Sequence, residues 1–80
     1  MYPNGSQVRA ARALLGMSRE DLAVRAKVSV RTVNNIENGD TNPIRSTLEA
    51  VMGVLIAEGV MFVPADEEKG TGPGVVMSRY

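Results

Sequence analysis

The sequence predicts a mainly α-helical domain of four or five helices that ends in a β-hairpin. Three observations support this fold class. Apolar residues recur at intervals of three and four over most of residues 6–59, which is the period of an amphipathic helix. Ser18 and Ser29 each open a short helical pattern, and Gly39 closes the second one. Beyond residue 59, two short apolar runs flank a polar, glycine-rich segment, which is typical of a hairpin.

The composition excludes several classes of protein. The 80 residues include no cysteine and no histidine, so disulfides, thiolate or imidazole metal sites and Ser-His triads are excluded. No apolar run is long enough to span a membrane, and no signal peptide precedes the first helix. We therefore expect a cytoplasmic protein that is not an enzyme and has no cofactor. Because so small a domain has a small core, we also expect a homodimer.

The charges are distributed unevenly along the chain. Residues 1–45 contain seven basic and four acidic side chains, whereas residues 46–80 contain two basic and five acidic ones. The net charge of the whole chain is zero. The asymmetry indicates a basic half that binds a polyanion and an acidic half with another task.

Three segments are predicted along the chain: an irregular lead-in over residues 1–5, a helical domain over residues 6–59 and a C-terminal hairpin over residues 60–80. The lead-in contains Pro3 and the turn-forming pair Asn4-Gly5. The first helix is expected to begin near Ser6 and to end at Gly16 in a left-handed cap. The predicted core of the domain includes Leu14, Leu22, Val33, Ile36, Leu48 and Leu55.

The second and third helices are predicted from their capping residues. Ser18 is a good N-cap for a helix over residues 19–26, with Asp21 at its third position, and Ser29 can cap the third helix in the same way. The third helix is unusually polar, and its adjacent asparagines and β-branched residues are weak helix formers. We infer that its outer face is needed for hydrogen bonds to a partner.

The fourth helix is predicted to open near Arg45 or Ser46, with Glu49 as the capping-box partner of Ser46. Residues 60–63 and 75–77 then form two strands separated by a long polar loop. An isolated two-stranded hairpin is only marginally stable in water. The hairpin must therefore pack on the helices or pair with the hairpin of a second copy.

Four segments carry a resemblance to a known family: residues 9–16, 18–23, 28–33 and 36–39. In order and spacing they resemble the Xre/Cro family of helix-turn-helix DNA-binding proteins, which includes phage repressors. The resemblance covers roughly residues 6–58, and the strand pair that follows is similar to the ending of a short bacterial subgroup. It implies a lambda-repressor-like fold and a transcriptional regulator, most simply a repressor, that binds a pseudo-palindromic double-stranded DNA site.

The resemblance also implies roles for individual residues. The third helix, at about residues 30–38, would be the recognition helix in the major groove. The base-reading positions would be Val30, Arg31, Asn34 and Asn35. The phosphate-binding positions would be Arg19, Thr32, Asn38 and Arg45. Arginine can donate two hydrogen bonds to guanine, asparagine can form two hydrogen bonds with adenine, and valine can make an apolar contact with a thymine methyl group. Glu37 matches a structural position of the family, and we interpret Arg9 and Arg12 as ordinary surface charges.

Two positions depart from the family pattern. Lys27 stands where the family usually has glycine, so either Lys27 takes a left-handed conformation at a cost of roughly 1 kcal/mol or the second helix continues through it. Arg19 stands where the family often has glutamine, which favours a phosphate contact over a base contact.

The apolar residues of the fourth helix and the hairpin exceed what one small core needs, so we predict that they form a dimer interface. The interface residues would be Met52, Leu55, Ile56, Val60, Met61, Phe62, Val63, Val75, Val76 and Met77. An alternative is a protein-interaction module, an antitoxin or anti-activator, that uses the hairpin to bind a protein partner. Residues 66–68 are paired carboxylates in a glycine-rich loop that cannot hold a catalytic geometry, and we expect no metal site there.

Overall fold

Four helices and a two-stranded antiparallel sheet make up the part of the chain described by the computed structural model, residues 2–40 and 43–78. The elements are α1 (Gly5–Leu15), α2 (Arg19–Ala26), α3 (Val30–Asn38), α4 (Arg45–Ala57), β1 (Val60–Val63) and β2 (Gly74–Met77). The predicted fold class is confirmed. None of the described helices is long and apolar enough to cross a membrane.

The first helix begins at Gly5, one residue earlier than predicted, because Asn4 caps it. The Asn4 side chain accepts a hydrogen bond from the Gln7 amide, and the Gln7 side chain accepts one from the Asn4 amide, each at 2.9 Å. This is a complete capping box with Asn and Gln in its two positions. Gly16 ends the helix in the left-handed conformation (φ 65°), as predicted.

The serine caps of α2 and α3 are confirmed. Ser18 Oγ accepts from the Asp21 amide at 3.0 Å, and Ser29 Oγ accepts from the Thr32 amide at 3.1 Å. Between the two helices, Lys27 has φ 60° and ψ 42°, so the first of the two alternatives for this residue is correct. A lysine therefore holds the left-handed turn position that glycine occupies without a steric penalty.

The predicted cap of α4 is wrong. The helix begins at Arg45 with Ile44 as its N-cap, and no side chain of the described residues caps it. Glu49 does not reach back to Ser46. It instead accepts a hydrogen bond from the hydroxyl of Tyr2 at 2.8 Å. The helix begins too early for the predicted capping box, because its N-cap Ile44 has no acceptor side chain and Thr47, not Glu49, is at its third position.

The core lies between the four helices and the inner side of the sheet. Its largest fully buried side chains are Leu22, Leu55, Val8, Val33, Val51 and Val60. Leu14 was predicted to lie in this core, but 51% of it is exposed. Leu14 lies two turns after Gln7 on the same face of α1, at the margin of the stripe formed by the buried Val8 and Ala11. Leu48, also predicted as core, is partly buried.

The hairpin is attached to α1 by one buried side chain. Gln7 Nε2 donates to the carbonyl oxygens of Val63 and Gly74, both at 3.0 Å. These two residues are opposite each other in the sheet, so the glutamine fixes both strands at the end nearest the loop. Because the same side chain completes the α1 cap, the start of the helical domain and the hairpin are positioned together.

Candidate nucleic-acid interface

The exposed face of α3 is defined by what the helix buries. Val33, Ile36 and Glu37 are its buried residues, and they lie along one side of the helix at spacings of three, four and one. The opposite side carries Arg31 and Asn38, both exposed. The inner side packs against α1 and α2, so the polar side faces away from these two helices.

The four predicted base-reading residues are not equally placed. Arg31 is exposed, and it forms no ion pair with any residue in 2–40 or 43–78. Asn35 is half-buried beside it. Val30 packs partly against the core and lies at the margin of the outward face. Arg31 is thus the side chain with the greatest freedom to meet a ligand.

Asn34 has an unusual environment for a surface amide. Its side-chain oxygen is buried and has no hydrogen-bond partner among the described residues. A buried acceptor without a donor is destabilising by about 1–3 kcal/mol. The two-sided pairing with adenine expected from the sequence uses this oxygen as the acceptor, so Asn34 is placed less favourably for it than Asn35.

A buried carboxylate lies directly beneath this face. The Glu37 side chain is fully buried and is surrounded by three arginines. The closest nitrogen–oxygen distances are 2.8 Å to Arg12, 3.2 Å to Arg19 and 3.7 Å to Arg9. The structural role expected for Glu37 agrees with this placement. The interpretation of Arg12 as an ordinary surface charge was wrong, since Arg12 joins α1 to α3 through both carboxylate oxygens.

The sequence contained a signal for this cluster. Glu37 is four residues after Val33 and one after Ile36, so it shares their buried stripe, and a buried carboxylate requires a cationic partner. Burial by itself raises the pKa of Glu37, but the hydrogen bonds and charges of Arg12 and Arg19 outweigh it, and the pKa is lowered overall. The hydrogen bond that Arg12 donates to Glu37 also raises the pKa of Arg12. The Glu37 carboxylate and the Arg12 guanidinium are thus held in their charged forms.

Each predicted phosphate-binding residue has a side-chain contact with another described residue. Arg19, the first residue of α2, donates to Glu37, and 41% of its side chain is exposed. Asn38 accepts from Arg9 at 2.9 Å. The Thr32 hydroxyl lies 2.9 Å from that of Ser29. Arg45, the first residue of α4, lies over the ring of Tyr2 with its guanidinium carbon 5.5 Å from the ring centre.

The predicted dimer-interface residues divide into three groups by their exposure. Leu55 and Val60 are buried inside the chain itself, which removes them from any surface that a second copy could contact. Met61 and Val76 face each other across the strands on the outer side of the sheet, with 56% and 50% of their surface exposed. Ile56 and Val63 are also exposed. The remaining predicted residues are half-buried: Met52, Phe62, Val75 and Met77.

Within the described residues, no group of three or more histidine, cysteine, aspartate or glutamate side chains is arranged to hold a metal ion. Asp66 instead closes the hairpin loop. Its side chain accepts from the amides of Glu68 and Lys69, and its backbone pairs with that of Thr71. The carboxylate therefore has a local structural role in the turn.

Comparison with known proteins agrees with this architecture. A helix-turn-helix family model matches residues 8–55, which is more than half of the chain. The matched region extends from α1 into the last turns of α4, and it contains the Glu37 cluster and the outward face of α3. A search of the curated proteins found no match for the chain.

Proposed function

The chain belongs to the helix-turn-helix family of the Xre and lambda-repressor type, and we propose that it binds double-stranded DNA sequence-specifically, as a homodimeric regulator. The family match supports a DNA-binding regulator. The observation that carries the proposal further is the exposed polar side of α3, which lies opposite the buried Val33, Ile36 and Glu37. Arg31 is at its centre and forms no ion pair within residues 2–40 and 43–78.

In the proposed complex α3 lies in the major groove with its N-terminal residues at the base edges. Arg31 donates two hydrogen bonds to guanine, and Asn35 pairs with adenine. Asn34 contributes a donor, and Val30 contacts a thymine methyl. A good bidentate contact discriminates between bases by about 1–3 kcal/mol, so most of the specificity would depend on Arg31 and Asn35.

Four side chains would position α3 by contacting the phosphate backbone of the DNA. Arg19, Thr32, Asn38 and Arg45 lie at or next to helix ends, where phosphate contacts fix the register of a protein on DNA. Both arginines are the first residue of their helix. The helix dipole disfavours a cation at that end, and an approaching phosphate would reverse this disadvantage, because it meets the arginine charge and the free amides together.

Homodimerisation is proposed because one domain offers few cationic side chains. Two copies related by a twofold axis would place two recognition helices in successive major grooves, about 34 Å apart. The outer side of the sheet, with Met61, Val63 and Val76, is the apolar surface that we assign to the second copy. We propose repression as the mode of regulation, exerted at the nucleoid, because a dimer bound at a promoter blocks access to it.

Selection of bound sequences from random duplex DNA tests the proposal. We expect an enriched site with two inverted half-sites about one helical turn apart. Arg31→Ala should then lose discrimination at one base pair in each half-site. Enrichment of single, unpaired half-sites would contradict the dimer, and no enrichment at all would contradict sequence-specific binding.

The exposed outer side of the sheet also favours a second candidate function, in which the hairpin binds a different protein, as an antitoxin or anti-activator does. The two functions differ in their response to salt. DNA affinity falls steeply as salt rises, because each neutralised phosphate releases counterions, whereas an apolar protein contact changes little. A partner complex that survives high salt while DNA binding is absent would favour the second candidate.

A further inference from the structure

The N-terminal lead-in contacts the first turn of α4 through Tyr2. The Tyr2 hydroxyl donates to Glu49 Oε2 at 2.8 Å, and the Tyr2 ring lies under the guanidinium of Arg45. The lead-in was expected only to be an irregular segment. Its aromatic side chain instead contacts both members of an oppositely charged pair on one helix.

Arg45 and Glu49 are four residues apart, which is the spacing at which opposite charges on a helix form an ion pair. They do not form one here: among residues 2–40 and 43–78, Arg45 has no carboxylate within ion-pair distance. The Glu49 carboxylate is occupied by the Tyr2 hydroxyl. Glu49, the carboxylate that would compete with a phosphate for Arg45, is therefore bound to Tyr2.

The contact between Arg45 and the ring leaves the arginine able to bind an anion. A guanidinium is planar and carries its five N–H donors at its edges, and an interaction with an aromatic face does not use those donors. Arg45 is exposed and lies at the first position of α4, whose next residues have no side-chain cap. Tyr2 thus restricts the motion of the arginine and keeps its donors free.

We propose that Tyr2 is a positioning residue for DNA binding: it holds Arg45 in place for a backbone phosphate and keeps Glu49 from neutralising it. This inference rests on the proposed function, since it specifies how one of the four phosphate-binding side chains is prepared. It extends the interface from the helical domain to the lead-in. Tyr2 itself need not contact the DNA.

The test is a double-mutant cycle in the full chain, made of Tyr2→Phe, Glu49→Gln and the double variant. Arg45→Ala is the reference for complete loss of the contact between Arg45 and a DNA phosphate. The probe is a random-sequence DNA duplex of about three turns, roughly 30 base pairs, long enough for two successive grooves. Affinity is measured by fluorescence anisotropy at several salt concentrations. Thermal unfolding of each variant shows that it is folded.

Arg45→Ala should weaken binding about tenfold or more, the size of a lost hydrogen bond to a charged group, and should reduce the salt slope by about one. Tyr2→Phe retains the ring but releases Glu49, so binding should weaken about two- to fivefold, as expected for a competing exposed ion pair. Glu49→Gln in the Tyr2→Phe background should restore it. The same change in the wild-type chain should have a smaller effect, because Glu49 is already occupied there.

Each other result has a distinct meaning. Wild-type binding that is absent or insensitive to salt contradicts the proposed function itself. Normal binding by Arg45→Ala removes Arg45 from the interface and the inference with it. Normal binding by Tyr2→Phe, or a loss that Glu49→Gln does not restore, overturns the positioning role of Tyr2 while the proposed function stands.

Discussion

Two arginines occupy equivalent places in this fold and are held in different ways. Arg19 begins α2 and is bound to the buried carboxylate of Glu37, whereas Arg45 begins α4 and lies over the exposed ring of Tyr2. The first contact is continuous with the core, and the second lies on the surface. The difference teaches that two arginines with the same proposed role can be held either by a contact that contributes to stability or by one that is almost independent of it.

The largest effect should follow from removing the buried carboxylate. Glu37→Gln leaves three arginines without their shared anion, and Arg12, with 17% of its side chain exposed, has the least access to water. Breaking a buried ion pair in this way destabilises by about 3 kcal/mol. Chemical denaturation should show this loss in the free energy of unfolding.

The matched control is Glu49→Gln, which removes the carboxylate near the other arginine. Glu49 is exposed, so the free energy of unfolding should change by less than about 0.5 kcal/mol. Equal losses for the two variants would show that the two arginine sites do not differ in their coupling to the core.

The two sites should also respond to pH at opposite ends of the scale. The pKa of Glu37 is lowered, so its contribution to stability is complete above the ordinary carboxylate pKa of about 4.3 and is lost as the pH falls through the lowered value. The hydrogen bond to Glu49 raises the pKa of Tyr2. The contribution of this hydrogen bond to stability is therefore complete below the ordinary tyrosine pKa of about 10 and is lost as the pH rises through the raised pKa.

Thermal unfolding between about pH 2 and pH 7 measures the acid part. The difference in melting temperature between wild type and Glu37→Gln isolates Glu37 from the other carboxylates, and it should shrink as the pH falls. A difference that stays constant over this range would show that the Glu37 side chain stabilises the fold through packing and not through its charge.

The sequence was sufficient for contacts between near neighbours and insufficient for contacts between distant ones. The serine caps of α2 and α3, the left-handed Gly16 and the strand pair all depend on residues a few positions apart, and they were predicted correctly. Arg12 and Glu37 are 25 residues apart, and Tyr2 and Glu49 are 47 apart. Neither contact has a local pattern, so Arg12 was taken for a surface charge and Glu49 for a cap.

The candidate nucleic-acid interface was likewise predictable only in part. Helical spacing identified α3 as the helix with a polar outer side, and the resemblance identified which of its residues would read bases. The spacing did not show that the Asn34 oxygen faces inward. That orientation depends on how closely α3 packs against its neighbours, which is a property of the assembled domain.

A pair of arginine variants compares the two sites directly. Arg19→Ala removes one of three partners of a buried carboxylate and should destabilise the domain by about 1 kcal/mol, whereas Arg45→Ala should change stability by less than about 0.5 kcal/mol. Both should weaken binding to random-sequence DNA. Denaturation and anisotropy on the same samples separate the two effects, and a stability loss in Arg45→Ala as large as in Arg19→Ala would contradict the distinction.

A substitution away from both arginines gives the control that this comparison needs. Lys27→Gly relieves a left-handed residue in the turn between α2 and α3, and it should stabilise the domain by about 0.5–1 kcal/mol while leaving both arginine contacts intact. Its DNA affinity should equal that of the wild type if affinity depends on how the arginines are held. If affinity instead rises with stability in Lys27→Gly, then part of the loss in Arg19→Ala reflects a less stable fold. In that case the loss in Arg45→Ala, measured at unchanged stability, becomes the cleaner measure of a phosphate contact.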